Sequence, residues 1–270
     1  MQSKKLPWQI QMFRRSIKKQ QKLKALLQLI GDTKGKKCLL VTNGDNNGAL
    51  NWYFRANGGE WAWADVSGEN NDQISELLNE PVFGFKEDDF QIPDAQFDCI
   101  VSIDVLEHLK QDQPFLLEMK RVLKTGGKAV VTVPNGDDKL LANQIKWKLG
   151  MTPEIYGHTR AGYTVAELAE SIRRAGLEPK GSSGYSRFVT EMIELVINFG
   201  YVQVLSKKRG TPQPGHIAPV SSGELKTHGI AYKIYSALFP IAWVISLLDI
   251  LLPARTNNAV IVTALKSDNL

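Results

Sequence analysis

Phe97-Asp98-Cys99-Ile100-Val101-Ser102-Ile103-Asp104-Val105-Leu106-Glu107-His108-Leu109 opens the stretch that decides the fold. It continues through Phe115-Leu116-Leu117-Glu118-Met119-Lys120-Arg121-Val122-Leu123-Lys124-Thr125-Gly126-Gly127 to Val130-Val131-Thr132-Val133-Pro134-Asn135. Phe97 to Ile103 is a short apolar run of the kind that forms a strand buried on both faces. From Pro114 to Leu123 the apolar side chains Phe115, Leu116, Met119, Val122 and Leu123 fall on one side of a helix. Thr125-Gly126-Gly127 stops that helix, and Lys128 to Val133 is a second buried strand. Strand, crossover helix and strand in this order predict a parallel pair covered by helices.

The alternation extends in both directions. Cys38-Leu39-Leu40-Val41 is the first apolar strand. Trp61-Ala62-Trp63-Ala64, ending at Asp65, is the second, and Pro81-Val82-Phe83-Gly84-Phe85 a weaker third. Downstream, Thr164 with Glu167 three residues on is a capping-box pattern that opens a helix ended by Gly176. Asn258 to Leu265, rich in Val, Ile and Thr, is the final strand. Upstream, Pro7 to Ile30 reads as one helix with Ile10, Phe13 and Ile17 on one side, stopped at Gly31. Between about 187 and 256 the text changes to a polar Gly/Pro loop (209–223) and two long apolar stretches, an insertion before the last strand. The expected division is a basic helical arm (1–36), a sheet domain (37–186), the insertion (187–256) and a closing strand (257–270).

With 43% apolar and 23% charged residues in 270, the chain has ordinary globular composition, which excludes disordered and fibrous classes. The net charge of +5 is uneven: residues 1–40 carry eleven Lys or Arg against Asp32 alone, while the rest holds 22 basic and 27 acidic groups. A basic arm on a mildly acidic body suits nucleic acid, anionic lipid or an acidic substrate, or simply a solvated helix face. Cys38 and Cys99 sit in apolar runs and cannot build a disulfide framework or a zinc site, so no metal is expected. No signal peptide is legible, because Arg14, Arg15, Lys18 and Lys19 break the first apolar stretch. A reducing, cytoplasmic setting follows as the default.

After the first strand comes Thr42-Asn43-Gly44-Asp45-Asn46-Asn47-Gly48-Ala49-Leu50. A small-residue turn between a strand and a helix lets the backbone approach a nucleotide-like ligand and offers free N–H groups to a negative one. Asp65, 17 residues after Gly48, stands where a carboxylate can accept hydrogen bonds from both hydroxyls of a ribose. Two glycines in a turn are more often only a turn, and Asp65 could equally cap the segment that follows.

The 97–135 block resembles class I S-adenosylmethionine-dependent methyltransferases of the small-molecule type, and the resemblance runs over about residues 37–180. Its most specific part is the series FD…V.EHL…RVLK.GG…VPN. The later Gly157-His158-Thr159-Arg160…Tyr163-Thr164…Leu168…Ala175-Gly176-Leu177 is similar to a further family segment. The resemblance implies an α/β, doubly wound Rossmann-like sheet of about seven strands, the last antiparallel, with S-adenosylmethionine as cofactor. It implies that Thr42, Gly44, Asn46 and Gly48 form the cofactor loop, and that Asp65 binds the ribose with Val66 beside it against the adenine. It puts Ile103 near the cofactor's methionine moiety. Asp88, within Lys86-Glu87-Asp88-Asp89, falls near the adenine amino group. The chain departs from the family pattern at Thr42, where a carboxylate is usual, and at Asn46, where glycine is.

Methyl transfer from a sulfonium needs mainly alignment of the nucleophile, and a base where that nucleophile is a hydroxyl. His108, with Glu107 to orient it, follows the fourth strand at the edge where such sheets bind ligands. His158 comes from the segment after the fifth strand and could approach the same cleft; each histidine could also be structural. The expected function is methyl transfer to a small-molecule, glycan-precursor or lipid-linked acceptor. The alternative is a binding module that keeps the fold with a degenerate first motif. A nicotinamide dehydrogenase is disfavoured by the glycine spacing, and nucleic acid by the lack of a base-reading module. Ile234 to Leu252 is a 19-residue run with Asp249 its only charge. It reads either as a lid over the acceptor or as a helix lying on an anionic membrane, with the basic arm adding attraction.

Overall fold

In the computed structural model, residues 6–43, 48–66, 75, 77–78, 83–84, 89–200 and 229–267 are described. Seven strands make one sheet: β1 (Lys37–Thr42), β2 (Glu60–Asp65), β3 (Phe83–Gly84), β4 (Phe97–Ile103), β5 (Leu123–Pro134), β6 (Glu178–Tyr185) and β7 (Ala259–Leu265). Their order is β3-β2-β1-β4-β5-β7-β6. The pairs from β3 to β5 are parallel, and β7 runs antiparallel to both β5 and β6. This is the Rossmann-like sheet with an antiparallel last strand that the alternation and the resemblance imply.

The helices are α1 (Trp8–Phe13), α2 (Ile17–Ile30), α3 (Ala49–Ala56), α4 (Gln113–Val122), α5 (Leu141–Lys148), α6 (Val165–Arg174), α7 (Phe188–Gly200) and α8 (Gly229–Ser246). Alternate residues of β1 feed two cores, as the pleat requires. Leu39 and Val41 pack with Phe115, Leu116 and Met119 of α4 and Leu168 and Ile172 of α6. Cys38 and Leu40 pack with Ile10, Phe13, Leu26 and Ile30 of the N-terminal helices and Phe54 of α3. Burying each such side chain contributes ~1.5–3 kcal/mol. The Thr164–Glu167 capping box forms as read, with Glu167 N–H donating to the Thr164 hydroxyl at 3.3 Å and Thr164 N–H donating back to Glu167 Oε2 at 2.7 Å.

Two local expectations need correction, and one strand was not anticipated. The helix expected over Pro7–Ile30 breaks at Arg14–Ser16, because Ser16 leaves helical geometry and its hydroxyl caps α2 by accepting from Lys19 N–H. The run Ile234–Leu252 is not one helix either: α8 ends at Ser246 and Leu247–Leu251 form a 3-10 turn. Finally β6, Glu-Pro-Lys-Gly-Ser-Ser-Gly-Tyr, is a strand with no apolar alternation. It lies at the sheet edge, where pairing to β7 carries its exposed middle, Tyr185 at its end is buried in the second core, and Pro179 is tolerated beside a register shift. The polar loop 209–223 lies outside the described residues, as do Gly44, Asn46 and Asp88.

The register places the chemistry. Thr42 pairs with Asp65 on one side and Ile103 on the other, and Ile103 pairs with Thr132. These four residues form one row across the carboxyl edge of the parallel strands. Tyr185 pairs with Ala259 at the same edge, so the chain between β6 and β7, with α7 and α8, leaves from and returns to the edge that carries the row.

Candidate functional site

The row is tied together by the side chain that departs from the family pattern. Thr42 is buried and its hydroxyl donates to Asp65 Oδ2 at 2.7 Å, while Trp63 Nε1 donates to Thr42 Oγ1 at 2.9 Å. A carboxylate at position 42 would stand against the Asp65 carboxylate, and two like charges at that separation do not both ionise readily. The neutral hydroxyl removes the conflict and fixes one Asp65 oxygen. Val66 N–H donates to Thr42 O at 2.9 Å, which locks the turn after β2 to the end of β1. Gly48 caps α3 with φ +86, and a Cβ there would come within 2.8 Å of Leu77. The left-handed backbone there favours glycine, and a side chain would have to push the end of Leu77 aside. Ile103 is buried among the residues of the second core.

Beyond Ile103 the chain turns at Asp104, whose φ of +51 lies in the left-handed region. Asp tolerates that region better than most residues. Its amide donates to Thr132 O at 3.0 Å, and its carboxylate forms a nearly buried ion pair with Lys22 of α2. Four residues on, His108 Nδ1 lies 3.0 Å from Gly157 O. A carbonyl oxygen only accepts, so Nδ1 carries the proton and the basic lone pair of the neutral ring falls on Nε2. The segment carrying His158 is bound to the same loop: Thr159 N–H and its hydroxyl both donate to Glu107 O, at 2.8 and 3.0 Å. The His108 and His158 rings meet edge to face with centroids 4.7 Å apart.

Glu107 is fully buried, and it, His108 and His158 each present a ligand-type atom within 4.8 Å of the others. A carboxylate with two imidazoles can share protons among its members or hold one divalent transition metal. The expectation of no metal rested on the two cysteines alone. This set arises from residues 50 positions apart.

Sequence reasoning missed the parts that come from α2 and the insertion. In the sequence Lys22 is one more charge of a basic arm, yet it reaches the exit of β4 and lies 5.9 Å from the ring centroid of Tyr185. Burial pushes the Tyr185 phenol above its usual range. Lys18 of α2 and Lys146 of α5 both pair with the buried Glu191 of α7, at 2.7 and 3.0 Å. Burial by itself would raise the Glu191 carboxyl, but the two ammonium groups and the Ser186 hydroxyl hold it down to about 2. Ser186, Thr190 and Gln21 add hydrogen bonds across the same junction. Helix α2 is thus tied both to the exit of β4 and to the start of α7. A hint lay in the sequence: Lys18 and Lys22 share one helical face with Ile17 and Leu26, where solvated charges have no place.

Residues 44–131 match a family described as "Methyltransferase domain". A stretch of 94 residues is 36% identical to a Mycolicibacterium smegmatis protein named "Probable S-adenosylmethionine-dependent methyltransferase", covering 34% of this chain and 33% of the relative. A stretch of 100 residues is 28% identical to a ubiquinone biosynthesis O-methyltransferase of Cereibacter sphaeroides, covering 36% and 40%. These alignments span between a third and two fifths of the curated relatives. Among solved structures, the chain is similar to Haemonchus contortus phosphoethanolamine N-methyltransferase 2 with bound S-adenosyl-L-methionine. The TM-score is 0.54 at 14% identity over 92% of this chain and 52% of that one. It is also similar to the [4+2]-cyclase SpnF, with TM-score 0.54 at 17% identity over 92% and 81%. At such identities the structures speak for the fold, and the family match over 44–131 with the two sequence relatives speaks for the family. Together they support a class I S-adenosylmethionine-dependent methyltransferase, with the family match confined to residues 44–131.

Proposed function

We propose that this domain binds S-adenosylmethionine along the β1–β2–β4 edge and directs transfer of its methyl group to a hydroxyl of a small-molecule, glycan-precursor or lipid-linked acceptor. The observation that carries the reading is His108. It stands just past the row Asp65–Thr42–Ile103, with its proton committed to Gly157 and its basic nitrogen on the other side of the ring. When bound, the cofactor supplies an electrophilic methyl. Asp65, oriented by Thr42, would accept from the ribose hydroxyls, and Val66 would lie beside the adenine. Ile103 bounds the methionine end. Gly48, at the start of α3, lets the backbone approach. With a hydroxyl acceptor aligned on that methyl, Nε2 of His108 would take the acceptor's proton, and Glu107 and His158 would stand beside the ring that receives it. The named activity of the ubiquinone biosynthesis relatives supports an oxygen nucleophile.

A second reading, a binding module without turnover, is favoured by Thr42 at a position the family gives to a carboxylate, and a cyclase shares the fold. Two measurements separate the readings. Calorimetric titration with S-adenosylhomocysteine tests cofactor binding, and a dissociation constant no tighter than millimolar sinks the methyltransferase reading. Transfer of a labelled methyl into small-molecule and lipid extracts then tests turnover. Tight binding with no labelled product from any extract supports the binding module.

A further inference from the structure

From Ser236 to Leu252 the chain is turned inside out for a surface that faces only water. Its polar residues point inward: Ser246 is buried with its hydroxyl donating to Trp243 O at 2.7 Å. Asp249 is buried and caps α7, accepting from the N–H groups of Arg187, Val189 and Thr190 at 3.1, 2.8 and 3.2 Å. Its apolar residues point outward. Ile241, Val244 and Leu248 are exposed, as is the amphipathic ring of Trp243, and Ile250 and Leu251 are 77% and 78% exposed. No described residue from 236 to 252 joins either hydrophobic core. Contiguous exposed apolar surface of this kind marks an interaction face.

The charges around it indicate the occupant. From 236 to 256 the only acidic residue is the inward-facing Asp249. At one end of the ridge the Arg15 guanidinium stacks over Phe239 at 5.4 Å, beside exposed Arg14; at the other stands exposed Arg255. An apolar ridge with cations at both ends and an interfacial tryptophan is complementary to anionic headgroups over acyl chains. Among the described residues no helix is long and apolar enough to cross a membrane, and α8 contains Pro240. A face that lies on the surface fits these features.

We propose that the outer side of α8 and the Leu247–Leu251 turn is a docking face for an anionic lipid bilayer. The element leaves and rejoins the sheet at the edge that carries His108, so docking holds that edge near the membrane and within reach of a lipid-linked acceptor. This last consequence rests on the proposed function, whereas the docking itself does not.

The test uses the full chain and needs no turnover. The protein is sedimented with phosphatidylcholine vesicles, and with phosphatidylcholine–phosphatidylglycerol vesicles at low and high salt. Co-sedimentation with the anionic vesicles at low salt, weakened by salt, is expected. Ile250→Glu with Leu251→Glu should lower vesicle affinity at least tenfold. Arg14→Glu with Arg15→Glu should lower it about fivefold per charge removed. All four side chains lie on the surface or at its margin, and an unchanged melting temperature verifies the fold. As a second readout, Trp243→Phe should abolish the largest part of any vesicle-induced blue shift in tryptophan emission. The proposal is overturned if the parent stays in the supernatant with anionic vesicles at low salt, or if the Ile250/Leu251 variant binds as the parent does. It is also overturned if the same variant dissolves a concentration-dependent dimer while no vesicle binding is seen, which assigns the ridge to a second copy of the chain.

Discussion

Replacing Asp65 by Ala removes a fully buried carboxylate that accepts from Thr42 Oγ1 at 2.7 Å and ends β2 in register with Thr42. Two costs follow, and their sizes keep them apart. The Thr42 hydroxyl loses its acceptor, although Trp63 Nε1 still donates to it, so the folded state loses about 1–3 kcal/mol. The bound state loses hydrogen bonds from two ribose hydroxyls to a charged group, about 1.5–3 kcal/mol, or roughly a 10- to 150-fold weaker dissociation constant. A domain of ordinary stability, about 5 kcal/mol or more, remains above about 95% folded after the first loss, since about 2 kcal/mol still favours the native state. Unfolding therefore cannot imitate a tenfold loss of affinity. Calorimetry with S-adenosylhomocysteine measures the second cost, and a thermal melt without ligand measures the first. A variant that melts lower yet binds S-adenosylhomocysteine within twofold of the parent refutes the ribose assignment and leaves Asp65 a structural partner of Thr42.

Four further outcomes are expected. His108→Ala should fold normally and lose turnover by ~10²-fold or more with a hydroxyl acceptor while S-adenosylhomocysteine binding is unchanged; unaltered turnover would remove His108 from the chemistry. If the Glu107–His108–His158 set instead works through a metal, chelation should abolish turnover and a divalent cation restore it, whereas a pure proton-transfer role predicts indifference to chelator. Glu191, held down to about 2 against an ordinary carboxyl value near 4.5, adds stability that is fully present above about pH 4.5 and lost as the pH falls toward 2. Glu191→Gln should flatten that acid limb and cost on the order of 3 kcal/mol near neutrality, because Lys18 and Lys146 lose their shared anion; denaturant titrations at pH 3 and pH 7 read both effects. Asp249→Ala should destabilise by about 1–2 kcal/mol through the lost cap on α7, and a melting temperature equal to the parent's would show that the three N–H bonds contribute nothing net.

Buried parallel strands are legible one by one, because each is a continuous apolar run whose ends are set by turn residues. Phe97–Ile103 needed no tertiary information, and neither did the capping box at Thr164. β6 was illegible for the opposite reason. An edge strand held by backbone pairing places almost no demand on side-chain type, so Gly-Ser-Ser-Gly leaves no trace in hydropathy. The Arg14–Ser16 break was signalled by Ser16, but a serine between charged residues is as easily a solvated helix position.

By itself, the order of residues determined the buried strands β1, β2, β4, β5 and β7, the helix between β4 and β5, and the likeness to the family, since all of these rest on patterns local to a few tens of residues. Tertiary structure alone decided who meets whom at the carboxyl edge of the parallel strands. Lys22 reaches Asp104 across 82 positions, and His158 comes to His108 because Thr159 bonds to the Glu107 carbonyl. It also decided that Asp249, the one charge in an apolar run, faces inward while Ile250 and Leu251 face out. A side chain's neighbours across such separations depend on how packed elements cross, and no periodicity along the chain encodes a crossing.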